Sequence, residues 1–404
     1  MIMMKVPFSP PDISQAEINE VVEALRSGWI TTGPRTKQFE KKIADYVGTK
    51  MACCLNSQTA CAEMALRILG VGEGDEVITT AYTYTATASV VCHVGAKLVL
   101  VDTQEHSLEM DYDALENAIT EKTKVIIPVD VAGIPCDYDR IFDIVERKKH
   151  LFRPKNVIQK AMGRISVNAD TAHSFGASRK GVKAGNIGDF SAFSFHAVKN
   201  LTTAEGGALT WKTIDGFDDE SMYKQLQLFS LHGQSKDALA KSKLGAWEYD
   251  IIGTWYKCNM TDIAASVGLK QLERYDKLLE RRRDIIDYYD ERLKPVGVKT
   301  LKHYTDEYES SGHLYLTRVP GITLEQRNEM IIKLAEQGIA ANVHYKPLPL
   351  LTAYKELGFD INDFPNSFAA FKNEITLPLH TCLTDEQVEY VADCYSKIAK
   401  EYIR

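Results

Sequence analysis

The sequence lacks the features that mark secreted, membrane-spanning and zinc-dependent proteins. Its eight cysteines form no C-x-x-C pair, and no histidine stands at zinc-binding spacing from them. The first thirty residues have no apolar signal-peptide core, and no window approaches the roughly 20 apolar residues that cross a bilayer. These absences predict reduced thiols, no bound metal, no membrane contact and a cytoplasmic location.

Concentrated charge is also missing. The formal net charge of −7 is spread over 404 residues, and no block of five or more like charges occurs. This distribution argues against a nucleic-acid groove and against a basic face that would bind a membrane. With 45% hydrophobic residues, the chain is long enough to form two or more domains. The expected partners are small molecules and a second copy of the chain.

Short apolar runs alternate with helical patterns through the first half of the chain. The strand-like runs are MACCLN, EVITT, KLVLVD, KVIIPVD, RISVNAD and SAFSF, and the helical stretches between them include 59–69, 112–119 and 138–149. This alternation predicts a three-layer αβα domain in which helices cover both faces of a mostly parallel sheet. The segment 151–163 interrupts the alternation as an added loop or short helix.

A second pattern begins after a long, charged helical run at 262–293. It contains the strand-like runs GHLYLTRV, IAANVHY and EITLPLH, with helical patterns at 323–337 and 384–403. We therefore predict an α/β protein with a large domain over residues 1–270. A smaller α+β domain over residues 271–404 is expected to begin with a long linking helix.

An acid and a lysine follow two of the predicted core strands. Asp170 ends the run RISVNAD, and Lys199 lies shortly after SAFSF. Ligands of parallel sheets bind at the carboxyl ends of strands. Pyridoxal phosphate (PLP) needs a lysine amine for its aldehyde and a carboxylate at its pyridine nitrogen. Taken singly, Asp170 fits a turn cap and Lys199 a surface lysine; taken together, the pair favours PLP chemistry.

A PLP site also needs a phosphate cradle and a flat neighbour for the ring. A turn that opens a helix directly after a strand provides free amides for phosphate. The candidate phosphate residues are Ser57, Gln58, Thr59 and Ser194. A simple N-cap remains the alternative for the turn. Tyr82 and Tyr84 both offer an aromatic ring, and a core position is the alternative for each.

Several segments together resemble the DegT/DnrJ/EryC1/StrS sugar aminotransferases, which have PLP fold type I. They include GDEVIT, GAKLVLVD, DTAHSFGA, FSFHAVKNLTTAEGG, YKCNMTDIAASVGLKQL and VHYKPLPLL, and the resemblance covers nearly the whole chain. It implies that Lys199 carries PLP covalently and that Asp170 is the partner of the pyridinium nitrogen. It further implies that His173 contacts the ring and that Tyr84, rather than Tyr82, stacks on it.

The resemblance also implies a homodimer with shared active sites. Ser57, Gln58, Thr59 and Ser194 fall at the phosphate, and Asn259 and Lys257 would reach it from the neighbouring subunit. The implied substrate contacts are Thr32, His196 and His344. The alternatives for these three are a helix-capping turn, a histidine bonded to backbone, and a packed strand.

The implied reaction moves an amino group from L-glutamate to a keto-sugar of a nucleotide-linked hexose, for amino-sugar or polysaccharide biosynthesis. A 4-keto-6-deoxy sugar is favoured over a 3-keto sugar. A subgroup that removes a sugar hydroxyl has histidine in place of Lys199. Two alternatives stay open: a PLP aminotransferase for keto-cyclitols, and a non-catalytic sensor or regulator with the same fold. No G-x-G-x-x-G follows the first strand, which argues against a nicotinamide enzyme.

Three departures from the family pattern bear on the site. Gln58 replaces a common glycine, which is expected to shift how the backbone meets the phosphate. Asp130, in PVDVAG, replaces a common histidine and is expected to affect the substrate side. The insertion at 151–163 is longer than is typical and has no assigned function.

Overall fold

A seven-stranded sheet with strand order β1-β9-β8-β5-β4-β2-β3 forms the centre of a computed structural model that describes residues 4–235 and 248–403. Its strands are β1 (Ala52–Leu55), β2 (Glu76–Thr80), β3 (Lys97–Val101), β4 (Thr123–Ile127), β5 (Ser166–Asp170), β8 (Phe190–Ser194) and β9 (Gly207–Trp211). Only β9 runs antiparallel, to both β1 and β8. The predicted α/β fold with a mostly parallel sheet is therefore confirmed.

Helices follow the strands as the alternation predicted. They are α1 (Gln15–Arg26), α2 (Pro34–Val47), α3 (Gln58–Ile68), α4 (Thr85–His93), α5 (Tyr112–Ala118), α6 (Tyr138–Arg147), α7 (Val157–Met162) and α8 (Asp219–Ser230). The sequence reading missed α4, whose segment TATASVVCH is nearly all apolar or small and has no side-chain N-cap. It also missed β9, because GALTW is short and follows a glycine-rich turn.

The predicted helical run at 262–293 is two helices, α9 (Asp262–Glu273) and α10 (Tyr275–Leu293). The break falls at Arg274, which has φ −117° and ψ 9°. The Arg274 guanidinium donates hydrogen bonds to the carboxylates of Glu17, at 2.8 Å, and Asp12, at 3.0 Å. These bonds tie the break to the N-terminal segment, which explains why charge periodicity alone did not reveal it.

Two smaller three-stranded sheets complete the fold. The first contains β10 (Lys299–Thr300), β12 (Tyr315–Arg318) and β13 (Glu374–Leu377), and the second contains β6 (Ser178–Arg179), β7 (Val182–Lys183) and β11 (Tyr308–Glu309). The α-helices that follow α10 in the described residues are α11 (Leu324–Glu336), α12 (Thr352–Glu356), α13 (Pro365–Lys372) and α14 (Asp385–Lys400). Helices α10, α11 and α14 pack with β12 and β13 around a second apolar core.

The predicted strand IAANVHY does not form. Only isolated bridges occur there, from Ile339 to Val6 and from Asn342 to Thr376. The backbone N–H of His344 donates to the side-chain carboxyl of Glu374 at 2.8 Å, rather than to a neighbouring strand. A side chain thus replaces the strand ladder at the point where this segment meets β13 of the small sheet.

The chain crosses between the two cores at several points. Val6 packs in the C-terminal core, whereas Leu348 and Tyr354 pack in the core of the large sheet. A division at residue 270 stays a prediction. Within the described ranges, no helix combines the length and apolar character needed to cross a membrane.

The insertion at 151–163 is partly helical, because α7 occupies its second half. The side chains of Asn156 and Gln159 both donate to the carbonyl of Leu69, each at 2.8 Å. These bonds fasten the insertion to the end of α3, so its observed contacts are structural.

The start of α2 depends on a carboxylate distant in sequence. Asp262, fully buried, accepts hydrogen bonds from the backbone N–H groups of Gly33, Arg35 and Thr36 at 2.8–3.0 Å. We expect Asp262→Ala to lower the free energy of unfolding by about 3 kcal/mol, because several buried donors lose their acceptor. Urea unfolding at a fixed protein concentration measures this loss.

The matched control for this prediction is Asp218→Ala. Asp218 caps α8 through the backbone N–H of Ser221 at 3.0 Å and is exposed to solvent. Water can replace an exposed cap, so a clearly smaller loss is expected. Equal losses in the two variants would show that Asp262 is not the anchor of α2.

Candidate active site

A cavity of about 360 Å³ lies at the edge of the large sheet where its parallel strands end. Strand β9 is antiparallel and begins at the same edge, so Gly206 also lines the cavity. Ten of the residues predicted from the sequence meet there: Ser57, Gln58, Thr59, Tyr84, Asp170, His173, Ser194, His196, Lys199 and His344. Nine of these side chains come from the ends of four strands, β1, β2, β5 and β8, which the sheet topology brings together, and His344 comes from the C-terminal part of the chain.

Asp170 is the last residue of β5 and is buried. Its Oδ2 accepts a hydrogen bond from the Thr87 hydroxyl at 2.6 Å, and its Oδ1 accepts one from the backbone N–H of Ala172 at 3.1 Å. Burial raises the pKa of Asp170, while these hydrogen bonds and the charge of Lys199 act in the opposite direction. The carboxyl is therefore held rigidly beside the lysine.

Lys199 lies in the loop after β8, where its backbone N–H donates to the carbonyl of His196 at 2.9 Å. Burial lowers the pKa of its amine to about 8, and the charge of Asp170 opposes that effect. Within residues 4–235 and 248–403, Nζ has no hydrogen-bond or ion-pair partner. An amine with a lowered pKa and no partner is suited to nucleophilic attack on an aldehyde.

His173 connects the large sheet to the C-terminal part of the chain. Its Nδ1 accepts the backbone N–H of Ala132 at 3.3 Å, and its Nε2 lies 2.9 Å from the Tyr345 hydroxyl. Burial lowers the pKa of His173 well below its ordinary value, so the ring is neutral. The proton therefore sits on Nε2 and is donated to Tyr345. This assignment leaves the Tyr345 hydroxyl proton free to bond a ligand in the cavity.

The predicted phosphate turn opens α3 at the cavity. The Ser57 hydroxyl accepts the backbone N–H of Ala60 at 3.1 Å, so it is an N-cap, as the alternative interpretation had it. In the described chain, the amides of Gln58 and Thr59 have no protein acceptor and remain available to an anion. A Cβ on Gly207 would lie 2.5 Å from the carbonyl carbon of Ser57. Glycine thus lets β9 approach this turn.

Gln58 projects its amide toward Asp170. Both residues line a small void of about 10 Å³, together with Thr87. The Gln58 side chain is buried, and its amide acts as a donor toward the Asp170 carboxyl, which helps to lower the pKa of that carboxyl. The side chain that replaces the family's common glycine therefore lies on the Asp170 side of the turn.

Of the two candidate aromatic rings, only Tyr84 lines the cavity. Tyr84 is 61% exposed and stands immediately before α4, with its ring 6.1 Å from that of Tyr345. Tyr82 is fully buried, and its hydroxyl donates to the carbonyl of His344 at 2.8 Å. An exposed ring at the cavity is available for stacking, whereas Tyr82 serves the core.

Thr32, Lys257 and Asn259 do not line the cavity of their own chain. The Asn259 amide donates to the Thr32 hydroxyl at 2.6 Å, which donates to the carbonyl of Met260 at 2.5 Å. Lys257 bonds the side-chain oxygen of Asn259. These three side chains thus form one cluster beside the end of β1, and their contacts with a neighbouring subunit remain a prediction.

The remaining predicted residues have fewer contacts. The Ser194 hydroxyl accepts the backbone N–H of His196 at 3.4 Å. The His196 ring lies 3.7 Å from the Glu205 carboxylate and is about half exposed. Both side chains face the cavity, where they are accessible to a ligand.

The Asp130 carboxyl is occupied by hydrogen bonds within the protein. Its oxygens accept from the hydroxyls of Ser174, at 2.6 Å, and Tyr138, at 2.9 Å, and from the backbone N–H of Cys136. Burial raises the pKa of Asp130 to about 7. In this chain Asp130 anchors the loop after β4, and the expected effect on substrate would be indirect.

The sequence reading missed three side chains at the site. Tyr345 and His313 come from the C-terminal part of the chain, and Thr87 comes from α4. His313 lies 4.3 Å from His173, ring to ring, and its Nδ1 is 2.9 Å from the side-chain oxygen of Asn200. Tyr345 adjoins His344, so the motif VHYKPLP offered a signal for it; the other two are identified only by tertiary contacts.

The residues present fit PLP. The unpaired Lys199 amine, the buried Asp170 carboxyl and the free amides at the start of α3 match an aldehyde, a pyridine nitrogen and a phosphate. The buried Gln58 amide adds a donor beside Asp170. These groups offer a partner to each of the three polar parts of the cofactor.

Comparisons with known proteins identify the family to which the chain belongs. Spr1654 from Streptococcus pneumoniae is described as a sugar aminotransferase. The structure of its PMP form is 58% identical in sequence to this chain, with a TM-score of 0.96, and the match covers 98% of this chain and 100% of that one. Its PLP form is 56% identical, with a TM-score of 0.95 over 99% of this chain and 100% of that one. The spore coat polysaccharide biosynthesis protein SpsC of Bacillus subtilis is 37% identical over 98% of this chain and 97% of its own.

A further relative bears on the chemistry. The UDP-4-amino-4-deoxy-L-arabinose–oxoglutarate aminotransferase of Shewanella sediminis is 34% identical over 97% of this chain and 98% of its own. The model of the DegT/DnrJ/EryC1/StrS aminotransferase family matches residues 11–396. Aminotransferases of this family use PLP. The chain therefore belongs to the DegT/DnrJ/EryC1/StrS family and is a PLP-dependent sugar aminotransferase.

Proposed function

We propose that this enzyme transfers the amino group of L-glutamate to the keto carbon of a nucleotide-linked hexose, with a 4-keto-6-deoxy sugar as the preferred acceptor. The observation that carries the proposal is that the Lys199 amine, with its lowered pKa, and the buried Asp170 carboxyl line the same cavity. The name of one relative supports amination at C4 of a UDP-linked sugar, there a pentose, and the glutamate–oxoglutarate pair, and the name of another supports polysaccharide biosynthesis.

Each residue of the cofactor site has a role in this proposal. Bound PLP supplies an electron sink for the bonds at the reacting carbon. Lys199 holds the cofactor covalently and, once released, moves a proton to or from that carbon. Asp170 keeps the pyridine nitrogen protonated, and the amides of Gln58 and Thr59 bind the phosphate. Tyr84 covers one face of the ring.

The substrate side of the cavity is formed by histidines and a tyrosine. His344, His196 and the Tyr345 hydroxyl face the space beyond Lys199, and Phe8 stacks on the His344 ring at 5.7 Å. Neutral imidazole and phenol groups exchange hydrogen bonds with sugar hydroxyls without a large cost of burying charge. Lys257 and Asn259 are proposed to complete the phosphate site of a neighbouring subunit, so that the homodimer is the active unit.

The acceptor is tested by direct competition. Purified enzyme with PLP and L-glutamate is assayed against a nucleotide-linked 4-keto-6-deoxy hexose, the 3-keto isomer and a keto-inositol. We expect kcat/KM for the 4-keto sugar to exceed that for the keto-inositol at least about 100-fold, because polar groups in the cavity would lose their partners with the wrong ligand. Formation of 2-oxoglutarate and the mass of the amino product give the readout.

The outcomes separate the alternatives. Faster turnover of the keto-inositol would establish a cyclitol aminotransferase instead. If the enzyme binds PLP and transfers no amino group to any acceptor, the sensor or regulator becomes the leading interpretation. Lys199→Ala serves as the control for uncatalysed transfer.

A further inference from the structure

A buried carboxyl lies directly behind the substrate side of the cavity. Glu374, the first residue of β13, is 1% exposed. Its Oε2 accepts the backbone N–H of His344 at 2.8 Å, and its Oε1 lies 2.5 Å from the Thr376 hydroxyl. Neither Glu374 nor Thr376 was predicted to take part in the site.

The contacts continue from Thr376 to the cavity. The Thr376 hydroxyl lies 2.9 Å from Nδ1 of His344. The His344 ring lines the cavity, and its Nε2 bonds no other residue within the two described ranges. Three side chains therefore connect the carboxyl of Glu374 to the space where the ligand is proposed to bind.

The Thr376 hydroxyl has one proton, so the hydrogen bonds among Glu374, Thr376 and His344 can take two consistent arrangements. When Glu374 is a carboxylate, Thr376 donates to it and accepts from Nδ1–H of His344, which leaves a lone pair on Nε2. When Glu374 is a carboxylic acid, it donates to Thr376 and Thr376 donates to Nδ1, which places the ring proton on Nε2. In both arrangements the imidazole is neutral.

We propose that Glu374, Thr376 and His344 form a proton relay that exchanges one proton between the buried carboxyl and the cavity at Nε2 of His344. In the outward direction, Nε2–H releases its proton to the ligand or solvent. Thr376 passes its proton to Nδ1, and Glu374 passes its own to Thr376. The O–H bonds of Glu374 and Thr376 and the N–H bond at Nε2 break together, while an O–H bond at Thr376, an N–H bond at Nδ1 and a bond from the released proton to the ligand or solvent form. The proton count therefore balances.

The energetics favour Glu374, rather than the His344 ring, as the titrating group. Burial raises the pKa of Glu374 to about 8, while its hydrogen bonds to Thr376 and His344 and the nearby arginines oppose that rise. Burial and, to a smaller extent, the charge of Lys199 together lower the pKa of His344 to about 3. The ring thus transmits a proton without becoming an imidazolium ion.

Charged and titratable groups surround the relay on every side. Those near Glu374 or His344 are Arg318, Arg327, Tyr82, Tyr345, Tyr395, Lys199, His173, His313, Lys299 and His106. The two arginines favour the carboxylate, and desolvation favours the acid. Their opposition leaves Glu374 able to gain or lose a proton near neutral pH.

The existence of the relay does not depend on the substrate, whereas its use in catalysis rests on the proposed amino transfer. The charge of Lys199 reaches His344 strongly enough to lower its pKa, so the relay ends beside the group that moves protons at the reacting carbon. A neutral acceptor or donor at Nε2 can hold a sugar hydroxyl or carry a proton to it.

The first test uses the PLP-bound enzyme with ¹⁵N-labelled histidine. Two-bond ¹H–¹⁵N spectra distinguish protonated from unprotonated ring nitrogens, and a His344→Gln sample identifies the signals. As the pH rises from about 6 to about 9.5, Nδ1 of His344 is expected to gain its proton and Nε2 to lose it. A midpoint near that of Glu374 is expected. An unchanged tautomer over this range would overturn the relay.

Variants test the direction of each link. In Glu374→Gln the amide oxygen accepts the His344 N–H and the amide NH₂ must donate to Thr376, so His344 should hold its proton on Nε2 at every pH. Thr376→Val should remove the pH dependence, and Thr376→Ser should restore it. A pH-dependent tautomer in Glu374→Gln would overturn the assignment of Glu374.

The matched control is Thr317→Val on the neighbouring strand β12. Thr317 is as buried as Thr376, and its hydroxyl bonds the carbonyl of Ile375 and the hydroxyl of Tyr395. Its substitution carries a similar packing cost but leaves the relay intact, so the tautomer change should persist. Loss of the change in this variant would attribute the effect to general disruption of the small sheet.

Kinetics then test the catalytic use. We expect Glu374→Gln and Thr376→Val to lower kcat for transfer to the sugar about 100-fold and to flatten its pH profile, with Thr376→Ser recovering most of the rate. A wild-type kcat in both Glu374→Gln and Thr376→Val would overturn the role of the relay in catalysis. A tautomer change together with turnover of a different acceptor would overturn only the proposed substrate.

Discussion

Lys199→Ala is expected to abolish the visible absorbance band of the covalently held cofactor and to lower amino transfer at least about 1,000-fold. Lys199 is proposed both to hold PLP and to move the proton at the reacting carbon, so alanine removes two functions at once. Its lowered pKa, about 8, leaves roughly one-tenth of the amine unprotonated at pH 7, far more than for an ordinary lysine. Absorbance spectra and single-turnover assays with L-glutamate measure both effects.

A matched control is Lys180→Ala. Lys180 is exposed and forms an ion pair with Asp139 at 2.7 Å, away from the cavity. It should keep the absorbance band and the rate of the wild-type enzyme. If Lys199→Ala retained the band, the covalent link would belong to another lysine and the arrangement of the site proposed here would be wrong.

Asp170→Asn is expected to lower kcat about 100-fold to 1,000-fold, with a smaller effect on cofactor affinity. The substitution keeps the size of the side chain but removes the negative charge that would hold a proton on the pyridine nitrogen. The amide oxygen can still accept the backbone N–H of Ala172, and the Thr87 hydroxyl can turn toward Thr83 and accept from the amide NH₂, so little else should move. Rates of both half-reactions and the PLP dissociation constant give the measurement.

Asp130→Asn provides a comparison within the same cavity. Its carboxyl is also buried, but its oxygens are bonded by Ser174, Tyr138 and Cys136. We expect this variant to lose stability while it keeps the absorbance spectrum of the bound cofactor. An Asp170→Asn enzyme with a wild-type kcat would contradict the proposed pyridinium role.

Local pattern predicted most of the large sheet. Buried parallel strands appear as continuous apolar runs, and helices such as α1 begin at a side-chain cap, here Ser14 with its capping box. Patterns failed where tertiary contacts override them. Helix α4 lacks polar periodicity because its segment is largely covered, and IAANVHY forms no strand because Glu374 binds the His344 N–H.

The sequence by itself determined the cofactor side of this protein. Asp170 and Lys199 follow core strands, and all parallel strands of one sheet end at one edge, so topology brings such residues together without knowledge of side-chain contacts. The family resemblance then selected Tyr84 over Tyr82 for the cofactor ring.

Only the tertiary structure decided the substrate side. Tyr345 meets His173, and Glu374 reaches His344 through Thr376, although these residues come from separate segments of the chain. Such pairs have no spacing rule, because their distance depends on how the C-terminal sheet packs against the large one. Hydrogen-bond direction and tautomer depend in turn on those contacts, which is why the proton relay has no sequence signature.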